Sequence, residues 1–359
     1  MDEIVYKRLA ERLDSLPNGF PATADGTELR LLAYLFSPQE ATLATNLRAT
    51  PETVQEIAER IGEDIEKVGG LLNGMARKGL ISVNKVAGEK AYGLMPFVVG
   101  FYENQGRTID AGLARLVEDY MQQVFGNVLS VEPQFHRVIP LNETIQTGIE
   151  IHPYESIADI VAGAKAWSVF DCICRKQKAL IGDPCEHPID ICMAFSDIPG
   201  AFDGSSYYKA LTQEEAMETL QRAADAGLVH CVSNRQEDIG YICNCCTCSC
   251  GILRGMAEMG IANAVARSAF VNTIDEAVCS GCENCLDYCQ FNALSMEDGI
   301  AVVSEISCMG CGVCVPFCET EAMKLVRRPE EEVLPIPVTK EDWGADRAQA
   351  RGIDINIIR

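Results

Sequence analysis

The sequence has no apolar run approaching the length of a membrane span. Its opening stretch, MDEIVYKRLAERL, reads as a charged amphipathic helix without the apolar core of a signal peptide. A cytoplasmic protein with no membrane insertion is therefore expected. Positive charge is also scarce: 30 Lys and Arg face 52 Asp and Glu, for a formal net charge of −22 and a pI of about 4.6. Such a surface repels phosphate backbones and favours a basic docking partner. No glycine fingerprint sits at a strand-to-helix turn, so nicotinamide or flavin binding has no support in the pattern. The abundant residue is cysteine, at 18 positions. In a reducing cytosol that number argues for metal rather than disulfides, and it implies an anaerobic setting. With 359 residues, nearly half of them hydrophobic, the chain is long enough for two to four domains.

The cysteines are grouped, and the densest pattern is at the C-terminal end. CSGCENCLDYCQ (Cys279 to Gln290) and CMGCGVCVPFCE (Cys308 to Glu319) are two CxxCxxCxxxC runs offset by 29 residues. Three close cysteines on a tight loop suit one [4Fe–4S] cluster, while the fourth reaches the other cluster. The expected ligand sets are Cys279, Cys282, Cys285 and Cys318 for one cluster and Cys308, Cys311, Cys314 and Cys289 for the second. Between the runs, Asp298-Gly299 signals a type I′ hairpin joining Ala293–Glu297 to Ile300–Ser304. Zinc ribbons pair two CxxC knuckles, whereas the third and fourth cysteines here follow the cluster pattern. The plan resembles a bacterial-type two-cluster ferredoxin. Gln290 and Glu319 stand where such ferredoxins usually carry proline, which bears on the potentials through polarity near the sulfurs.

Nine further cysteines cluster upstream. In WSVFDCICRKQKALIGDPCEHPIDICMAF, Cys172 and Cys174 are expected on one side of a strand end. Cys185 follows a Gly-Asp-Pro turn, and Cys192 comes seven residues later. These four thiols form a candidate third site, with Arg175 and Lys176 neutralising its charge. His187 reads either as a hydrogen-bond partner of a sulfur or as a surface loop histidine. Thr212 and Glu215 form a capping box for a helix with Ala216, Leu220 and Ala223 inward and Gly227 at its end. Leu228–Ser233 and Gly240–Cys243 read as paired strands leading into YICNCCTCSCG. If that segment is extended, Cys243 and Cys245 face one way and Cys246, Cys248 and Cys250 the other. One cubane cannot use all five. Structural zinc is the alternative to further iron–sulfur sites, and Cys231 stands alone.

Upstream, residues 27–95 read as a winged helix. A first helix covers Glu28–Phe36, and Thr50 with Pro51 caps a second whose stripe is Val54, Ile57, Ala58 and Ile61. A third runs from Glu63 to Lys78 with Ile65, Val68, Leu72 and Met75 inward, and wing strands flank Gly88. The would-be recognition helix opens with Glu63, Asp64 and Glu66, and Glu28–Lys90 holds eight Lys and Arg against nine Asp and Glu. A DNA reader needs a basic face, so docking is favoured over nucleic acid. Thr108–Phe125 is a helix whose apolar stripe is core or a homodimer seam. Arg137–Ile139 is read as a strand and Tyr154–Lys165 as a helix. The tail after Val326 is read as an arm anchored by Trp343 and Ile353 to Ile358.

The IAERIGEDIEKVGGLLNGMARKGLI segment resembles winged helices of bacterial regulators. That module, the CxCR…C…C and CNCCxCxCG segments and the two C-terminal runs together resemble a family of anaerobic bacterial and archaeal 4Fe–4S proteins, from about Leu31 to Val326. The resemblance implies a redox carrier without naming a substrate. The expected architecture is α+β and multidomain: an N-terminal helix (1–26), a winged helix (27–95), a helical connector (96–136), a cysteine-rich α/β central domain (137–273), a two-cluster ferredoxin domain (274–328) and a tail (329–359). The expected function is single-electron transfer between two [4Fe–4S] clusters, a central site with one or two further iron–sulfur clusters, and a partner oxidoreductase. Two alternatives are a redox-sensing regulator and an oxidoreductase with a catalytic metal or thiol centre in CNCCTCSC.

Overall fold

Capped helices and antiparallel strand pairs build a mixed α+β chain, whose computed structural model describes residues 2–354. These residues divide into two compact units. One holds residues 2–132, 177–183 and 344–354, and the other holds residues 133–176 and 184–343.

The first unit begins with α1 (Asp2–Asp14), α2 (Thr27–Leu35) and α3 (Pro38–Thr45). Helix α3 lies outside the helices expected from the sequence, although its start is well signalled. The Ser37 hydroxyl accepts from the Glu40 N–H at 3.3 Å, the Glu40 carboxylate accepts from the Ser37 N–H at 2.9 Å, and Pro38 fills the first turn. A two-residue strand β1 (Glu52–Thr53) precedes α4 (Val54–Ile61). The expected cap at Thr50 is therefore three residues too early. Thr53 holds that position because Glu56 returns its carboxylate to the Thr53 N–H at 2.7 Å, a reciprocal bond that Thr50 lacks. The next helix, α5 (Ile65–Arg77), starts at Asp64, which accepts from the Lys67 N–H at 2.9 Å. Val68, Leu72 and Met75 are buried as expected, but Ile65, in the first turn, is 43% exposed. Strands β2 (Ile81–Val86) and β3 (Glu89–Leu94) form a hairpin, and the sheet order is β1-β3-β2. The stripe of α6 (Ala111–Tyr120) goes into this unit's own core, where Tyr120 stacks on Phe20 at 4.7 Å; α7 (Gly126–Leu129) follows.

The second unit holds β4 (His136–Val138), α8 (Ile157–Gly163), β5 (Ala166–Asp171), the first four residues of α9 (Ile173–Leu180), β6 (Asp190–Ser196), β7 (Lys209–Leu211), α10 (Gln213–Asp225), β8 (Val229–Ser233), β9 (Tyr241–Cys245) and α11 (Gly251–Ala257). Its six strands pair antiparallel in the order β4-β8-β9-β6-β5-β7. Helices α8 and α10 cover one apolar face, with Val161, Ala216 and Leu220 against Met193, Val232 and Ile242. The helix expected over Tyr154–Lys165 is shorter: Ser156 leaves the helical conformation and caps α8 through the Asp159 N–H. The α10 capping box at Thr212 and Glu215 forms as expected.

Then come β10 (Phe270–Ile274), α12 (Asn284–Tyr288), β11 (Leu294–Glu297), β12 (Ile300–Val303) and β13 (Met323–Arg327). Strands β10 and β13 pair antiparallel, and β11 and β12 form the expected hairpin, with Asp298 and Gly299 at φ 47° and 80°. The tail carries a helix that was not expected, α13 (Lys340–Ala350). The Trp343 indole donates to the Gln134 carbonyl at 2.9 Å, an anchor of the kind foreseen. Ile353 is half-buried, and residues 355–358 lie outside the described part. Among the described residues no helix is long and apolar enough to cross a membrane.

Candidate metal centres

The two C-terminal runs fold as near copies. In each, three cysteines occupy a tight loop that passes into one short helical turn, α12 in the first run and Val315–Phe317 in the second. The fourth cysteine leaves that turn in nearly the same conformation, φ −81° and ψ 93° at Cys289, φ −87° and ψ 96° at Cys318. The preceding aromatics, Tyr288 and Phe317, stack with centroids 3.4 Å apart. Both loops contain a glycine in the left-handed region, Gly281 at φ 69° and Gly310 at φ 65°. Neither position admits a side chain: a Cβ would lie 2.2 Å from the Gly299 carbonyl oxygen in one loop and 2.1 Å from that of Phe270 in the other.

The copies exchange their fourth cysteines. Cys279, Cys282, Cys285 and Cys318 line one pocket, walled by Ile274, Ala301, Phe317 and Met323. Cys289 instead packs with Cys308 against Val271 and Ala293, and its charge is felt at Cys311 and Cys314. Backbone and amide donors point at these sulfurs. The Ala293 N–H donates to Cys289 Sγ at 3.2 Å, Asn272 Nδ2 to Cys314 Sγ at 3.3 Å and the Asn272 N–H to Cys308 Sγ at 3.5 Å. Burial pushes the Cys311 thiol up to about 12, and the Cys314 and Cys285 thiols above their ordinary value, with the neighbouring sulfurs adding to the effect. A metal bound among these sulfurs would offset the charge that burial disfavours. Two four-thiol donor sets with amide donors on their sulfurs fit metal or iron–sulfur ligation.

The nine upstream cysteines divide differently from the expected grouping. Cys172 lies between β5 and α9, and Cys174 is in the first turn of α9, so the pair sits at a strand-to-helix junction rather than on a strand. Cys192 is on β6, Cys243 and Cys245 are on β9, and Cys250 is the residue before α11. Side-chain contacts run from Cys172 to Cys192, Cys243, Cys245, Cys250 and Cys174 and back to Cys172, closing a ring of six thiols. Cys231, opposite Cys243 in the β8–β9 ladder, reaches the ring at Cys245. Within the ring, hydrogen bonds from Cys174 and Cys192 hold the Cys172 thiol well below its ordinary value, with Arg175 contributing. The Cys174, Cys192 and Cys243 thiols are correspondingly raised by the neighbours they donate to.

Extended structure ends at Cys245, so Cys250 does not follow Cys246 and Cys248 to the other side. Cys246 and Cys248 meet Cys185 and His187 instead, with all four donor atoms within 4.8 Å of one another. The expected foursome of Cys172, Cys174, Cys185 and Cys192 is thus split between two centres. His187 belongs to the second as a donor, and the signal for it was the Cys185-x-His187 spacing matching Cys246-x-Cys248. Arg175 does reach the sulfurs: buried, it donates to the carbonyls of Pro188 at 3.1 Å and Asn244 at 2.9 Å and to Cys246 Sγ at 3.4 Å. Burial opposes its charge, but Cys172, Cys246 and Cys192 outweigh burial and hold its pKa above the ordinary value. Lys176 pairs with Asp171 at 3.2 Å.

Gln290 also has a role that its position after Cys289 explains. Its side-chain oxygen accepts from the Thr247 N–H at 2.8 Å, between Cys246 and Cys248, and its Nε2 donates to the Gly227 carbonyl. A proline there could make neither bond. No family model, no curated protein and no solved structure matches the chain.

Proposed function

We propose that the protein is an iron–sulfur electron carrier that holds two [4Fe–4S] clusters at its C-terminal cysteine runs and exchanges single electrons with a partner oxidoreductase. The observation that carries this reading is the exchange of fourth cysteines, Cys318 to the pocket of Cys279, Cys282 and Cys285, and Cys289 to the side of Cys308. Zinc knuckles have no need of such an exchange, whereas a two-cluster ferredoxin domain uses it to hold its clusters side by side. When bound, the clusters supply one-electron chemistry. The chain's own part is to grip them on loops tied by β10–β13 pairing, to exclude water with Ile274, Ala301, Phe317 and Met323, and to donate N–H groups to the sulfurs. Donors at sulfur favour the more negative, reduced state and so raise the potential.

In this reading the ring of six thiols is the central iron–sulfur site, and the chain is one of the anaerobic 4Fe–4S proteins that its motifs resemble. Residues 27–95 are a winged helix used for docking. The start of α5 supports docking over DNA, since Glu63 pairs with Lys67 at 2.7 Å and Asp64 caps the helix, leaving negative charge where phosphate would approach. The same acidity weighs against a redox-sensing regulator and suits a basic protein partner in the cytoplasm.

The test is Cys318→Ser in anaerobically purified protein. The EPR signal of the cluster held by Cys279, Cys282 and Cys285 should change while the other persists. A change confined to the cluster of Cys308, Cys311 and Cys314 would refute the ligand assignment.

A further inference from the structure

We infer that Cys185, His187, Cys246 and Cys248 bind a single zinc ion, at a redox-inert site beside the iron–sulfur centres. Zinc bonds of about 2.3 Å to sulfur and 2.0–2.1 Å to nitrogen, arranged tetrahedrally, leave the donors of a three-sulfur, one-nitrogen set roughly 3.5–3.8 Å apart. Here the four donor atoms lie within 4.8 Å of one another, and Cys248 Sγ is 3.6 Å from His187 Nδ1. Thiolates on separate corners of a cubane stand further apart than that, so the group suits one ion. Three thiols and an imidazole form a complete tetrahedral set, the mark of a structural site rather than a catalytic one.

The surroundings are those of a built site. The Arg175 guanidinium donates to Cys246 Sγ, and the buried Ser249 hydroxyl lies 3.9 Å from Cys248 Sγ. Such partners orient metal ligands and balance their charge. The ion would join the loop before β6 to the turn between β9 and α11. It would therefore fix the direction of adjacent Cys245 and Cys246, one turned to the six-thiol ring and the other to zinc. Gln290 grips the same turn through Thr247. Zinc would thus hold the wall of the ring in place without passing electrons. This goes beyond the proposed function, which assigns iron to the C-terminal runs and the six-thiol ring and gives these four donors no metal, and it stands whether or not the ring holds a cluster.

The test counts zinc and iron separately in the full chain purified without oxygen, with Zn²⁺ as the only added metal. We expect about one zinc per chain, and X-ray absorption showing three sulfurs at about 2.3 Å and one nitrogen at about 2.0–2.1 Å. His187→Ala should lose zinc to a chelator at least about tenfold faster, with the EPR signals of the C-terminal clusters unchanged as the control for folding. His187→Cys should retain zinc with four sulfurs. A chain that takes up no zinc, iron in place of zinc at these residues, or zinc held equally well by His187→Ala would overturn the inference. Loss of the C-terminal iron signals alone would instead count against the proposed electron carrier.

Discussion

Replacing Gly310 by alanine places a methyl group where the second cysteine loop meets β10. At φ 65° an L residue costs about 1–2 kcal/mol relative to glycine. The added Cβ would also lie 2.1 Å from the Phe270 carbonyl oxygen, 2.2 Å from Ser268 Oγ and 2.8 Å from the Phe270 carbonyl carbon. Two of these neighbours are backbone atoms of the β10–β13 pair, so relief requires the loop itself to move, and overpacking of this kind costs about 1–3 kcal/mol. The two effects sum to about 2–5 kcal/mol, a large share of a domain's stability. The displaced segment runs from Cys308 to Cys311. The variant should therefore lose the centre of Cys308, Cys311, Cys314 and Cys289 while keeping that of Cys279, Cys282, Cys285 and Cys318. The control is Gly299→Ala, also at positive φ but with nothing within 4 Å of the added carbon. Iron per chain and anaerobic denaturant unfolding would be measured on both variants. Full iron and a midpoint equal to the parent's in Gly310→Ala would show that the loop is not held as described.

His136 is buried with no hydrogen-bond partner on either ring nitrogen, and burial lowers its pKa to about 4. Because the unfolded histidine titrates near 6.5, its contribution to stability is fully present above that pH and is lost progressively as the pH falls toward 4. The loss reaches about 2 kcal/mol at pH 5. His136→Phe should remove this segment of acid sensitivity, and parent and variant urea midpoints that fall in parallel between pH 7.5 and about 5 would contradict it. For nucleic acid, the acidic start of α5 predicts no sequence-specific duplex binding at physiological salt. A nanomolar, sequence-dependent footprint would reverse that reading.

The parts of the fold written in local chemistry were legible in the sequence. The α10 capping box, the Asp298-Gly299 hairpin and the buried stripe of α5 each depend on residues a few positions apart. The capping box at Ser37 and Glu40 is equally local, and so is the reciprocal carboxylate of Glu56 that places the cap of α4 at Thr53 rather than Thr50. The central site is different because its ligand sets are decided by strand pairing across long separations. Cys192 meets Cys243 through the β6–β9 neighbourhood, and Cys231 approaches Cys245 through β8–β9. An alternation argument could not reveal that the chain turns after Cys245, and that turn separates Cys246 and Cys248 from Cys250. His187 is a histidine in a loop, and such a residue carries no local sign of what the fold brings to it.

The iron and sulfide content of the full chain purified without oxygen is the most direct test of the two-cluster assignment. Two cubanes at the C-terminal runs require at least about eight irons and eight sulfides per chain, with EPR signals from two clusters after reduction and more iron if the six-thiol ring is filled. Zinc as the main metal with fewer than about four irons per chain would contradict the two-cluster reading.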